Sequence, residues 1–372
     1  MRIGIDASRA FEVERTGTET YSYQMIRHIL QLPEAGKHEW YLYVKSQAPS
    51  TNNQIIFNNQ APNTKFIQIP LPFLWTQTGL AARTWIDKLD CLWVPAHTLP
   101  LLRKPGLKTL VTVHGIEYEW LPAYESRLQR WYLPWSTIYA VKTATKVIAV
   151  SDFTKGQLVE RLGADPARIQ VVHEGVSFQA LNPKHQYSIF NKFKIIPEKY
   201  LLFIGTVQPR KNLARLIEAF SRIRDHRGLR LVIAGKLGWQ YEAVLAAPEK
   251  FGVKNRVVFT GYITDEEKEV LLRNALVYVQ PSITEGFGLP VLEAFAAGVP
   301  VISSDGGALK EILNFSGFLF DPFETEGIKK SLELVLGNKK IRRELVDRGR
   351  ERLKDFSWVQ AARQTLKLFE TL

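Results

Sequence analysis

Short apolar runs, rich in β-branched and aromatic residues, recur along the chain. Each closes on glycine, proline or small polar residues before a stretch of helical spacing. The runs predict strands at Arg2–Asp6, Trp40–Val44, Lys65–Ile69, Cys91–Val94, Leu107–Val113, Val147–Val150 and Ile169–His173. After position 200 the pattern restarts with Tyr200–Gly205, Leu229–Gly235, Val257–Gly261, Ala275–Gln280 and Val299–Ser303. Runs that are apolar on both faces suit buried parallel strands, and alternation with helices predicts parallel sheets covered on both sides. Helices are expected over Thr20–Leu32, across 121–145, after the cap Ser151, over Leu213–Arg224, from Thr264, and beyond Pro322, ending in an amphipathic helix over Phe356–Leu372. Periodicity lapses between Glu174 and Tyr200, around Pro183 and Pro197, which marks a hinge. The expected fold class is α/β, with two Rossmann-like domains, 1–178 and 179–355, facing across a cleft.

Composition narrows the function classes. The 372 residues are 45% apolar and 23% charged, enough for two full cores and against extended disorder. Net charge is +12; residues 1–180 hold 19 basic and 15 acidic residues (+4), leaving +8 for the rest. The excess is dispersed and no nucleic-acid recognition motif accompanies it, so an anionic small ligand or an acidic membrane surface is the expected partner and nucleic acid is not. Cys91 is the single cysteine and reads as a buried strand residue; with no intrachain disulfide available, a reducing cytoplasm is the simplest compartment. The opening residues do not read as a signal peptide. The uncharged stretches Phe66–Ala82 and Trp131–Val141 are short or broken by proline against the roughly 20 apolar residues a membrane span needs.

The most informative stretch is Gln280–Gly298. It follows a predicted strand, carries Gly286 and Gly288 in a loop, places Pro290 at a helix start and Gly298 just past the helix end, and then resumes a strand. In such units ligands sit beyond the carboxyl ends of strands, near helix N-termini. Glu285 falls in the loop and Glu293 in the first helical turn, so the two carboxylates meet different parts of one ligand. Carboxylates repel phosphate and suit hydroxyl groups, and a nucleotide sugar has an anionic middle with a polyol at each end. Arg210 and Lys211, in Gln-Pro-Arg-Lys-Asn between a strand and a helix, suit a diphosphate; a solvated pair of cations is the plainer reading. Gly261, Tyr262 and Ile263, at another strand end, suit backbone contacts to a base.

In the first half, His114 lies just past a predicted strand, where it either acts on a ligand or caps the sheet by hydrogen bonds. Gly17 stands at a strand-to-helix turn and is either a ligand-contacting glycine or a simple tight turn. It is a lone glycine, whereas a dinucleotide fingerprint needs three at fixed spacing, which disfavours a nicotinamide-dependent enzyme. The aromatic residues of 121–145, interleaved with Arg127, Arg130, Lys142 and Lys146, fit either an anionic bilayer surface or ordinary helix packing. A non-catalytic nucleotide-sugar or membrane-surface binding protein is thus a further alternative.

Taken together these residues resemble the retaining glycosyltransferases of family 4, also called group 1, with the GT-B fold. The resemblance covers nearly the whole chain and is most specific in Glu-Gly-Phe-Gly-Leu-Pro-Val-Leu-Glu, with its glutamates at 285 and 293. It implies that Glu293 binds ribose hydroxyls, that Glu285 meets the transferred sugar, that Lys211 and Arg210 hold phosphate together with the N–H groups of Gly286, Phe287, Gly288 and Leu289, and that His114 stands near the anomeric carbon. It further implies an N-terminal acceptor domain joined by the C-terminal helix 356–372, and a C-terminal donor domain. The histidine of the family is often followed by Asp; here Gly115 follows, which leaves Glu117 or Glu119 to take its place, or nothing. Thr206 stands where an arginine is often found, and Thr16 where a second glycine is. The implied chemistry is hexose transfer with retention and without a metal or other cofactor, from a nucleoside-diphosphate sugar to a glycan or lipid-linked acceptor in polysaccharide synthesis. The enzyme is expected in the cytoplasm, with possible peripheral contact with the membrane. Similarity to the mannosyltransferase-B-like branch, in Met-Arg-Ile-Gly-Ile-Asp-Ala and Pro-Arg-Lys-Asn, implies GDP-mannose as donor.

Overall fold

The computed structural model describes residues 1–12, 14–45, 63–71, 73–116, 127–177, 186–223 and 228–372. They form two compact units, Met1–Gly175 with Ser357–Leu372, and Val176–Phe356. In the first unit the strands are β1 (Arg2–Asp6), β2 (Glu39–Val44), β3 (Thr64–Gln68), β4 (Cys91–Val94), β5 (Lys108–Val113), β6 (Lys146–Ala149) and β7 (Ile169–Val171). They pair in parallel in the order β3-β2-β1-β4-β5-β6-β7. In the second unit β8 (Tyr200–Ile204), β9 (Arg230–Ala234), β10 (Val257–Gly261), β11 (Val277–Gln280), β12 (Val301–Ser304) and β13 (Phe318–Phe320) pair in parallel in the order β10-β9-β8-β11-β12-β13. The expected α/β class with two parallel sheets is thus what the chain forms.

Both sheets have the same logic. From β1 the chain moves to one side through β2 and β3, then returns to the other side of β1 with β4; β8 and β11 repeat this in the second unit. Where the winding reverses, the loops leaving two adjacent strand ends diverge and leave a crevice, the usual ligand position in open α/β sheets. The strands lie in apolar cores, with Leu201, Phe203, Leu231, Ile233, Val277, Val279 and Ile302 buried in the second unit. Trp40, Trp93 and Tyr43 are fully buried in the first.

Several local expectations shift. The helix expected at Thr20 starts at Gly17 and ends at Leu30, because Thr16 caps it and its N–H donates to the Glu19 carboxylate (3.2 Å). A helix, Gln186–Phe193, occupies part of the hinge segment. The helix from Leu213 ends at Ser221 rather than Arg224, and the three-residue β13 escaped notice as too short for a pattern. The terminal helix runs over Trp358–Glu370 with Ser357 as its cap and packs on the helix Gly17–Leu30 in the first unit. Phe356 stays with the second unit, its ring edge-on to Phe287 at 5.9 Å. Among the described residues no helix is long and apolar enough to cross a membrane. Glu117, Glu119 and most of the aromatic segment before Arg127 lie outside the described residues.

Candidate active site

The reversal in the second unit falls between β8 and β11, and the charged residues of both following loops meet there. Arg210 and Lys211 lie in a single helical turn after β8; Glu285 lies in the loop after β11. The Lys211 ammonium donates to Glu285 Oε1 at 2.5 Å, and Arg210 Nη1 donates to Oε2 and to the Thr284 carbonyl (2.8 Å). Ser282 Oγ (2.5 Å) and Gln280 Nε2 (2.9 Å) also donate to Oε1, and the Tyr278 hydroxyl holds Gln280 by its amide oxygen at 2.5 Å. The backbone completes the joint, with Ile283 N–H donating to the Arg210 carbonyl at 2.8 Å. Burial of Glu285 pushes its pKa up, but Arg210 and Lys211 outweigh it and hold the carboxyl at about 2. The result is a triad of net charge +1, with Lys211 and Glu285 buried and Arg210 half-buried, still attractive to an anion.

Two glycines shape its surroundings. Gly307 has φ +66°, and a Cβ there would stand 2.4 Å from the Glu285 carbonyl oxygen, so only glycine lets this loop reach Glu285, whose carbonyl accepts from Ala308 N–H at 2.8 Å. Gly288, with φ +108°, turns the chain into the helix Leu289–Ala296, which ends as expected with Gly298 left-handed just beyond it. Glu293 is the fifth residue of that helix, just past the first turn where it was expected. Its buried carboxylate accepts from Lys268 Nζ at 2.6 Å. Burial works against the Lys268 ammonium, but Glu293 and then Asp265 more than offset it, so its pKa is raised.

The other expected contacts are spread more widely. Gly261 ends β10, Tyr262 is exposed and Ile263 buried, while the buried Phe287 packs on Phe356. Gly17 is the first residue of its helix, and a Cβ added there meets nothing within 4 Å, so no backbone or packing constraint calls for glycine.

His114 lies directly after β5. Its Nε2 is 2.8 Å from the Pro95 carbonyl, which only accepts, so the proton sits on Nε2. Nδ1 faces the buried Glu174 carboxylate at 3.4 Å, and Tyr21, from the helix that Gly17 opens, meets the imidazole edge-on at 4.6 Å between ring centres. The described carboxylate beside His114 is therefore Glu174, sixty positions along the chain. His97, after β4, is held neutral, its pKa pushed down to about 3 by burial and then by Arg9 and His114. Sequence reasoning missed Glu174, Lys268 and His97, and took Gln280 and Ser282 as strand and strand-end residues only. A side chain facing out of a strand end is the one signal Gln280 carried.

Two family models match the chain, Glycosyltransferase Family 4 over residues 15–179 and Glycosyl transferases group 1 over residues 188–352. The chain belongs to the family 4, group 1 glycosyltransferases. It is 28% identical over 269 residues to the O-antigen chain mannosyltransferase B of Escherichia coli, covering 71% of each chain. It is 27% identical over 242 residues to the serotype-specific mannosyltransferase WbdA of Escherichia coli, covering 63% of this chain and only 29% of that longer protein. Among solved structures it is similar to Anabaena Alr3699/HepE in complex with UDP and glucose, with a TM-score of 0.73, 15% identity and full coverage of both chains. This glycosyltransferase therefore has the GT-B fold expected of it.

Proposed function

We propose that this glycosyltransferase moves a hexose, mannose in the first instance, from a nucleoside-diphosphate sugar to a glycan or lipid-linked acceptor, with retention at the anomeric carbon. The observation that carries the reading is the triad of half-buried Arg210 with buried Lys211 and Glu285 at the sheet reversal, where two cations and one carboxylate leave a net positive charge. The cations, with the N–H groups of residues 286–289, stabilise the charge that develops on the leaving diphosphate; Glu285 orders the sugar and Glu293 the ribose. His114 acts in the transfer step. GDP-mannose as donor and surface-polysaccharide synthesis as setting are favoured by the names of the two mannosyltransferase relatives. A nucleotide sugar as donor is also supported by the UDP and glucose in the complex of the Anabaena neighbour. Catalysis by fixed cations needs no metal, so turnover is expected to survive dialysis against EDTA unchanged. We place the enzyme in the cytoplasm, at the inner face of the membrane where lipid-linked acceptors are met.

Donor screening decides the reading: the protein is incubated with GDP-mannose, UDP-glucose and related donors plus glycan or lipid acceptors, with mass-spectrometric detection of product and its linkage. A glycosylated product with retained configuration is expected. Binding of a donor without transfer to any acceptor would leave the non-catalytic binding protein instead, and NAD reduction would point to the nicotinamide enzyme. Replacing Glu293 by alanine removes the proposed ribose contact and the nearer of two carboxylates on Lys268, leaving that ammonium to Asp265 at 3.4 Å. Donor affinity measured by calorimetry is expected to fall roughly tenfold to a hundredfold, the loss of one or two charge-assisted hydrogen bonds. An unchanged donor affinity would remove Glu293 from the donor site.

A further inference from the structure

We propose that Tyr278 and Gln280 are positioning residues for Glu285: a file of hydrogen bonds along β11 fixes which oxygen of that carboxylate is offered to the transferred sugar. The proposal rests on the reading of Glu285 as the group that orders the sugar. Side chains alternate along a strand. Val277 and Val279 enter the apolar core of the second unit, whereas Tyr278 and Gln280 point to the other face and Ser282 continues their spacing beyond Pro281. Tyr278, Gln280 and Ser282 are all fully buried, and β11 is an interior strand, paired with β8 and β12. Polar side chains in such a place cost stability unless they are bonded, and apolar groups of the same shape serve a core at least as well.

Here the bonds run toward one carboxylate. Burial, followed by the charges of Glu293 and Glu285, pushes the Tyr278 pKa well up, so its hydroxyl keeps its proton. The hydroxyl donates to Gln280 Oε1 at 2.5 Å. An ionised carboxylate only accepts, so the amide atom that faces Glu285 is Nε2, and the tyrosine holds the amide in that orientation. Nε2 donates to Ser282 Oγ and to Glu285 Oε1, both at 2.9 Å, and Ser282 Oγ donates in turn to the same Oε1 at 2.5 Å. Ser282 is anchored as well, since Ser304 Oγ donates to its carbonyl.

The two oxygens of Glu285 are thereby made unequal. Oε1 accepts from Gln280, from Ser282 and from the Lys211 ammonium at 2.5 Å, which fills an atom with about two lone-pair sites. Among the described residues Oε2 accepts only from Arg210, and it is the oxygen left for a hydroxyl of the sugar. The terminal torsion of a glutamate is soft, so each donor on Oε1 counts against rotation of the carboxylate. Removing the tyrosine and glutamine donors loosens that aim while the charge of Glu285 and its two cations remain.

The test is the double variant Tyr278→Phe with Gln280→Leu, which removes donor and acceptor together and keeps the volume. It is expected to melt no lower than the native protein. GDP, or UDP where the donor is a UDP-sugar, carries no hexose, so its affinity measured by calorimetry is expected to stay unchanged. By contrast, kcat is expected to fall about tenfold to a hundredfold with little change in donor KM, the size of effect of a misplaced reacting group. Tyr278→Phe alone lets the amide turn over and is expected to give a smaller loss in the same direction. A folded double variant with native kcat would overturn the proposal. So would one whose nucleotide affinity falls together with kcat, because the file would then merely hold the loop and its cations. If the double variant does not fold, Tyr278→Phe decides by the same two measurements, and native kcat there overturns the proposal. Absence of transfer by the native protein from any donor would remove the reading of Glu285 and this proposal with it, whereas native transfer with equally fast variants removes the proposal alone.

Discussion

Glu285→Gln is expected to lower stability and transfer together while raising affinity for free nucleoside diphosphate. The carboxylate is the sole negative member of a buried triad, bonded to Lys211 Nζ and Arg210 Nη1 and accepting also from Ser282 and Gln280. Glutamine keeps the shape but takes the carboxylate charge away from Arg210 and Lys211, and removal of one partner from a buried pair costs about 3–5 kcal/mol. The charge at the triad rises from +1 to +2, so GDP or UDP is expected to bind roughly tenfold more tightly and to restore part of the lost stability. Transfer is expected to fall by about two to three orders of magnitude, the loss typical of one removed group that orders charge in a transition state. Denaturant titration with and without nucleotide reads the first two effects, and product formation the third. Weaker nucleotide binding in the variant would show that Arg210 and Lys211 do not receive the diphosphate.

The same residue sets an acid limit. Its folded pKa, about 2, lies below the ordinary 4.5, so its contribution to stability is complete above about pH 4.5 and disappears as pH falls through 2. The difference is worth about 3 kcal/mol at neutral pH. The stability gap between the native protein and Glu285→Gln should therefore narrow as the solution is acidified.

This triad also marks the boundary of what local sequence could disclose. Strands such as Tyr200–Ile204 and Val277–Gln280 were legible because burial on both faces leaves an uninterrupted apolar run. Gly298 was legible because a helix end has a steric requirement that glycine meets. Arg210 and Glu285 were each assigned a separate ligand group, yet 75 positions of chain return them to one ion pair. That contact depends on β8 and β11 being neighbours, a property of sheet order that leaves no trace in either segment. The pairing of Lys268 with Glu293 has the same origin, since the helix carrying the lysine packs beside the helix carrying the glutamate. At His114 the neighbouring sequence offers carboxylates at 117 and 119, whereas Glu174 arrives through β6 and β7, two strands further across the sheet.

Glu174→Gln is expected to cut transfer about a hundredfold with donor affinity unchanged, and His114→Ala to cut it at least as far. The Pro95 carbonyl fixes a proton on Nε2, so any further proton gained by the ring goes to Nδ1, where the Glu174 carboxylate lies 3.4 Å away. A buried carboxylate there aligns the ring and faces the nitrogen that would carry a proton taken up during transfer, at the size of effect expected for general acid–base or charge-stabilising roles of a histidine. Glutamine can still align the ring by hydrogen bonding, but it brings no charge. Aspartate brings the charge from a shorter side chain and should recover part of the rate. The decisive comparison is the double variant. If Glu174 acts through His114, removing both should be no worse than His114→Ala alone, whereas independent roles would multiply. A Glu174→Gln enzyme with full activity, or a double variant whose losses multiply, would separate the two residues. Equal melting temperatures and equal donor affinities across the set would show that any lost rate comes from the transfer step rather than from folding or binding.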